Sequence, residues 1–249
     1  MRIAISQPAY LPWLGYFDLM EQVDTFVLLD SVQFEKQSWQ QRNRIKTPSG
    51  LQWLTVPVVF RGHFGQRICE VDIRDPEFHR QHLRAIELNY RRAPFFQQYF
   101  PELSEILHGF SSQKLSALTQ QLIVWFAGKF GIRTKVLRSS DLEALGRRSE
   151  LLVSLCQLLR AESYLSPLGS AVYLLDELAR FSAAGIDVAF QHYEHPEYRQ
   201  LFPPFQSHAS VLDLIFNEGP NSLAILRSGR RPAFTPGEVN CASIVGEGQ

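Results

Sequence analysis

From Gln33 to Lys46 the chain concentrates groups that bind anions and polar rings. Four cations (Lys36, Arg42, Arg44, Lys46), five side-chain amides (Gln33, Gln37, Gln40, Gln41, Asn43) and Ser38 are interleaved with the rings of Phe34 and Trp39. Arginine grips phosphate or carboxylate through paired N–H bonds and lysine acts as a point charge, whereas amides read hydroxyls and base edges by matched donor and acceptor. An aromatic ring gives a sugar or base a flat face. A solvated surface loop is polar without any such purpose. Trp39 and Phe34 are what set this stretch apart from one.

A second stretch, QPAYLPWLGY from Gln7 to Tyr16, is rigid where the first is polar. Two prolines fix φ, Gly15 permits close backbone approach, and Tyr10, Trp13 and Tyr16 carry large rings with hydrogen-bonding tips. Leu11 and Leu14 read as a plug that seats the following helix. Gln7, Tyr10 and Trp13 read as ligand contacts.

The elements that must position these residues come next. MRIAIS and Thr25 to Leu29 (TFVLL) are short, apolar and β-branched, as buried strands are, so Gln7 and Asp30 both stand at strand exits. In open α/β sheets ligands bind beyond the carboxyl ends of the strands, so the two loops are expected to face each other and form the site. Gln7, Tyr10, Gln33, Ser38, Trp39, Arg42, Asn43 and Lys46 would bind and orient. Asp30 would be a base, and Lys36 or Arg42 would stabilise developing negative charge.

The second half returns to alternation. Thr134 to Leu137, Ser163 to Leu165 and Val188 to Phe190 read as strands separated by helices at Ser149 to Arg160 and Gly169 to Ala184, the pattern of right-handed crossovers onto one sheet. SPLGS at Ser166 to Ser170 falls between a strand end and a helix start. Ser166 and Gly169 are therefore candidates for a second anion site on free amide groups, and simple capping by Ser166 or Ser170 is the compatible alternative. HYEHPEY follows the last strand, with His195 as a second candidate base tuned by Glu194 or Glu197.

Between the halves, Leu51 to Phe60 and Arg67 to Ile73 read as a hairpin, and helices are expected from about Asp75, Ala93 and Gln113, the last ending at Gly131. The fold class that results is α/β, a Rossmann-like, mostly parallel sheet with a mixed part, flanked by helices, with a helical insertion around 76–130. One domain over 1–227 and a flexible tail over 228–249, rich in Gly, Pro and small residues, complete the expected organisation.

Composition narrows the function. The formal net charge is +0, so nothing global steers the chain to nucleic acid, and the local basic run points to a small anionic ligand. Three scattered cysteines without CxxC spacing fit a reducing cytoplasm and no zinc site. The histidines give i, i+3 pairs with no third ligand, so no metal is expected. With no GxxxxGK, GxGxxG or GxSxG motif, no cofactor is expected either. MRIAISQP is not a signal peptide and no run is long enough to cross a membrane, which makes a soluble cytoplasmic protein the expectation. A homodimer through the three-helix segment stays open.

QPAYLPWLGYFDL, FVLLDSVQFEKQSWQQRNRIK and WLTVPV, in that order, resemble the signature of the WbqC-like protein family, bacterial proteins encoded among surface-polysaccharide (O-antigen) biosynthesis genes. IELNYRRAPFFQQYFPEL, SYLSPLGSAVYL, FQHYEHPEYRQLFPPF and SVLDLIFNEGP extend the likeness to about Pro220. Pro167 departs from it, since the family usually has glycine after YLS. The resemblance implies a role in surface-glycan biosynthesis, with transfer of an acyl or aminoacyl group onto a sugar or sugar nucleotide as the activity suggested by gene context. Two other readings stand beside it. One is a nucleotidyltransferase or ligase, in which PWLGY occupies the place of an HxGH motif but lacks both histidines. The other is a non-catalytic module that captures a ligand for a partner.

Overall fold

The computed structural model describes residues 1–239. Five strands form one parallel sheet: β1 (Arg2–Ser6), β2 (Thr25–Leu28), β5 (Lys135–Arg138), β6 (Ser163–Ser166) and β7 (Asp187–Phe190), side by side in the order β5-β2-β1-β6-β7. Counted along the chain within this sheet the order is 3-2-1-4-5, that of the Rossmann architecture, with the topological switch beside β1. β3 (Arg42–Thr47) and β4 (Gly50–Thr55) pair antiparallel in a separate two-stranded sheet.

The central strands are apolar on both faces because both are covered. In β1, Ala4 faces one core while Ile3 and Ile5 face the other, and in β2 Phe26 and Leu28 oppose Val27 in the same way. One side packs α1 (Leu14–Glu21), the inserted helices α2 (Phe78–Tyr90), α3 (Phe96–His108) and α4 (Leu115–Phe130), and α8 (Val211–Glu218). The other packs α5 (Ser149–Leu158), α6 (Ala171–Leu174) and α7 (Leu178–Ala183). Gly131 ends α4 in the left-handed region, which glycine enters without Cβ strain. α9 (Ser222–Ser228) follows α8 and packs on α1.

Two local expectations are corrected. The antiparallel hairpin joins Arg42–Thr47 to Gly50–Thr55, and Arg67–Ile73 instead holds a 3-10 turn at Ile68–Glu70 with single bridges Gln33 to Arg67 and Val58 to Ile73. A strand was masked at Arg42–Thr47 because it has one apolar residue, Ile45, on its inner face. The inner places beside Ile45 go to Asn43 and Thr47, while Arg42 and Arg44 point outward half-buried. The segment from Ser228, read as a tail, is tied to the body as far as it is described. Phe234 exchanges two 2.9 Å backbone bonds with Phe190 at the edge of β7, and Arg230 donates to the buried Asp18 at 2.8 Å. Residues 240–249 lie outside the described residues.

Candidate functional site

The exits of β1 and β2 lead to a cleft roofed by the β3–β4 hairpin. Its deeper part, about 330 Å³, is lined by Ser6, Gln7, Trp13, Tyr16, Ser38, Trp39, Gln40, Asn43, Arg44 and His208, among others. A second part of about 420 Å³ shares Glu35, Ser38, Trp39 and Arg44 and adds Lys36, Gln37, Arg42 and Trp53.

The first loop is pinned in place by backbone bonds and one buried amide. Tyr10 N–H donates to Trp39 O at 2.9 Å, Val211 N–H to Pro12 O at 2.9 Å, and Asn43 Nδ2 to Leu11 O at 2.7 Å. These bonds hold Leu11 at φ 47°, a left-handed conformation that a leucine adopts only when its surroundings impose it. Gln37, which lines the second part, and His208, which lines the first, are also left-handed, at φ 62° and 60°. Trp13 folds back over Gly15, where a Cβ would fall 2.2 Å from the indole, so only glycine leaves the ring its place.

Of the residues expected at the site, Gln7, Trp13, Ser38, Trp39, Asn43, Arg42 and Lys36 line the cleft. Lys36 is exposed, its Nζ 5.4 Å from the Phe60 ring centroid. Arg42 stacks over Trp53 at 4.1 Å, and Ser38 Oγ donates to Glu35 O at 2.7 Å. Asn43 spends both ends of its amide on Leu11 O and Arg44 N, so it shapes the wall.

The other expected residues are placed elsewhere. Tyr10 is fully buried, its hydroxyl donating to His82 Nδ1 at 2.8 Å, and belongs to the core. Asp30 is buried and its carboxylate accepts from Arg138 Nε at 2.8 Å, Ser139 Oγ at 3.2 Å, and Ser140 N and Oγ, both at 2.9 Å. That is a clamp between the ends of β2 and β5, with no lone pair left for a substrate proton. Lys46 is buried further along the strand face that carries Arg42 and Arg44, its backbone N–H donating to Tyr90 Oη at 2.8 Å. Gln33 makes a backbone bridge outside the cleft lining. Ser166 is fully buried with its hydroxyl turned to Pro167 O, and Ser170 stands at the N-cap of α6 without a side-chain capping bond. Gly169 stands exposed, and the helical turns that follow are three and four residues long, too short for an anion-binding terminus.

His195 lies behind the cleft wall, stacked on Trp13 with ring centroids 6.2 Å apart and planes 14° apart. Burial lowers it from 6.5 to about 4, so the ring is neutral. Its Nδ1 donates to Pro196 O at 3.0 Å, and neither Glu194 nor Glu197 touches it; Glu194 pairs with Arg231 at 2.6 Å.

His208 was not singled out from sequence, and it lines the cleft 5.2 Å from Trp13 and 5.0 Å from His195, centroid to centroid. Burial first, and then the Arg44 charge, lower its basicity, so it too favours the neutral form. Nothing around His208 in the sequence, SHAS, marks it; only the fold brings it to the cleft. Arg44, Gln40 and Trp53 are further lining residues. Arg44 lies 5.3 Å from the Trp39 centroid and 5.4 Å from that of Trp53. Among the described residues no group of three or more His, Cys, Asp or Glu converges as metal ligands.

An open parallel sheet in this order, with an aromatic and cationic cleft over the exit of its first strand, defines a Rossmann-ordered α/β protein. The chain belongs to the WbqC-like protein family, whose model matches residues 7–225. It is 37% identical over 231 residues to the uncharacterized protein Rv1507c of Mycobacterium tuberculosis, an alignment that covers 92% of this chain and 99% of that one. No solved structure matches it. No helix among the described residues is long and apolar enough to cross a membrane.

Proposed function

We propose that this protein is a group-transfer enzyme of bacterial surface-glycan assembly, moving an acyl or aminoacyl group onto a sugar or sugar nucleotide held in the cleft. The observation that carries the reading is the cleft's lining: flat rings (Trp13, Trp39), amides (Gln7, Gln40) and the Arg44 guanidinium meet around one cavity at the exit of β1. Rings and amides suit a sugar or base, and the guanidinium suits an anion. The WbqC-like membership is in keeping with it.

In this reading the acceptor's hydroxyl or amine attacks the acyl carbonyl, and the bond from the acyl carbon to the donor's leaving group breaks. His208, neutral and lining the cavity, takes the acceptor proton, the part that sequence reasoning gave to Asp30 or His195. Arg44 faces the oxygen that gains negative charge.

A non-catalytic module is the second reading, favoured by one observation: Asp30, the acid at the exit of β2 expected to act as a base, is fully engaged in structure. Thermal unfolding against sugar nucleotides, nucleotides and aminoacyl analogues tests both. A ligand at about 100 times its Kd adds roughly 2.7 kcal/mol, a midpoint rise of roughly 5–10 °C for a chain of this size. Transferase chemistry requires that His208→Ala keep the shift and lose turnover of the ligand so found. If the wild type binds but turns over no donor and acceptor pair, the module stands, and if nothing in the panel binds, both readings fall.

A further inference from the structure

The two parts of the cleft differ in chemistry, and the difference orients a ligand. Gln7, Trp13, Tyr16 and His208 line only the deeper part, while Lys36, Arg42 and Trp53 line only the outer one. Trp39 and Arg44 stand between.

We propose that the outer part is a phosphate or diphosphate subsite, so that a phosphorylated sugar or nucleotide binds with its anionic group on Arg42 and Arg44 and its uncharged ring in the deeper part. This rests on the reading of the cleft as a ligand site.

Arg42 and Arg44 are two residues apart on β3 and so share a face of the hairpin, and Trp53 is the register partner of Arg44 on β4. Arg42 lies 4.1 Å from the Trp53 centroid, and Arg44 lies between Trp53 at 5.4 Å and Trp39 at 5.3 Å. Stacking uses the faces of the guanidinium groups and leaves their N–H edges. The Nε atoms of both arginines are buried without a hydrogen-bond partner. Atoms so enclosed are not themselves open to a ligand, so the terminal guanidinium nitrogens are the groups left to meet one.

Charge points the same way. The outer part is lined by three cations, Lys36, Arg42 and Arg44, against the single carboxylate of Glu35. Among the described residues none of the three cations makes an ion pair. Two guanidinium groups held side by side without a counter-charge repel each other, and a dianion with several oxygens relieves that repulsion while accepting from both edges. Phosphoryl oxygens meet this requirement. A neutral sugar does not.

Calorimetry with four probes tests the assignment: inorganic phosphate, inorganic pyrophosphate, UDP-N-acetylglucosamine and free N-acetylglucosamine. Pyrophosphate and the sugar nucleotide are expected to bind, more weakly as salt rises, and the free sugar far less well. Arg42→Gln and Arg44→Gln should each weaken pyrophosphate roughly ten- to hundredfold, and Arg42→Lys, which keeps the charge but loses the planar fork, should fall between. Unfolding midpoints of the variants separate lost binding from lost folding.

Sugar-nucleotide binding that is indifferent to Arg42→Gln, with no pyrophosphate binding, overturns the subsite and leaves the cleft reading intact. Failure of both phosphorylated probes and of the wider ligand panel overturns the two together. Inorganic phosphate alone binding, unaffected by either arginine change, also overturns the subsite.

Discussion

Gln40 Nε2 donates to Gln7 Oε1 at 2.8 Å, joining two loops whose residues stand 33 apart in the chain. The other end of the same amide, Oε1, accepts the Glu35 N–H at 3.1 Å. One side chain thus ties the exit of β1 to the loop that follows β2, and Gln7 and Gln40 both line the cleft.

Replacing Gln40 by alanine removes both bonds at once. The expected cost is about 1–2 kcal/mol, a midpoint fall of roughly 2–8 °C. Hydrogen exchange at the Glu35 amide should accelerate more than exchange in β1 or β2. Unchanged exchange at Glu35 would mean the loops are held by the Tyr10 to Trp39 and Asn43 to Leu11 bonds without Gln40.

Asp30→Ala is expected to act on stability. The substitution leaves Arg138 and the Ser139–Ser140 turn without their acceptor, at a cost of roughly 3 kcal/mol for a partly buried pair and roughly 6–12 °C in midpoint. A cleft ligand should still bind the folded fraction with wild-type affinity, as measured by calorimetry well below the midpoint. Wild-type stability with lost turnover would restore Asp30 to the chemistry.

What sequence could reveal follows from how local each signal is. Ile3 to Ile5 and Phe26 to Leu28 announce buried strands by composition alone, and Gln7 leaves the central strand wherever the sheet is drawn. The same reasoning fails for Asp30, since an acid at a strand exit looks the same whether it faces a substrate or Arg138, 108 residues further on. Tyr10 is hidden for a related reason: the partner that draws its hydroxyl into the core, His82, is 72 residues away. The hairpin at Arg42–Thr47 was hidden because its outward arginines and inward Asn43 read as a polar loop. Without the arrangement of α8 and the loop before it, His208 was one unremarked histidine.

His82 and His195 are predicted to be neutral well below the usual histidine range and to carry opposite tautomers. Burial lowers each from 6.5 to about 4. A carbonyl only accepts, so His82 Nε2 carries the proton it gives to Thr55 O, and His195 Nδ1 carries the proton it gives to Pro196 O. The unfolded chain takes up protons as pH falls below 6.5 while the native chain does not. The stabilising contribution of each ring is therefore whole above about pH 6.5 and is lost as pH drops toward 4. Imidazole nitrogen spectra at pH near 5.5 should show His82 and His195 both neutral, the first protonated at Nε2 and the second at Nδ1. A protonated His195 at that pH would contradict its burial behind Trp13.

Asp213 carries the opposite sign. It lies in the first turn of α8, fully buried, with Oδ2 accepting from Gln200 Nε2 at 2.9 Å. Burial outweighs its hydrogen bonds and the nearby Lys46 charge and lifts the carboxyl from 3.8 to about 6. A raised acid pKa means that the native chain holds this proton more tightly than the unfolded chain does. Between about pH 4 and 6 the contribution of Asp213 to stability thus falls as pH rises, by roughly 3 kcal/mol in all, and is flat above. Asp213→Asn removes the titration while keeping the shape of the side chain. The unfolding free energy of the variant minus that of the wild type should therefore climb across this window and level off near pH 7, while the histidine titrations common to both proteins cancel. The shape of that difference carries the test, because the lost carboxylate beside Lys46 also offsets it. A difference that is flat from pH 4 to 7 would mean that Asp213 ionises in the folded protein as it does in the unfolded chain.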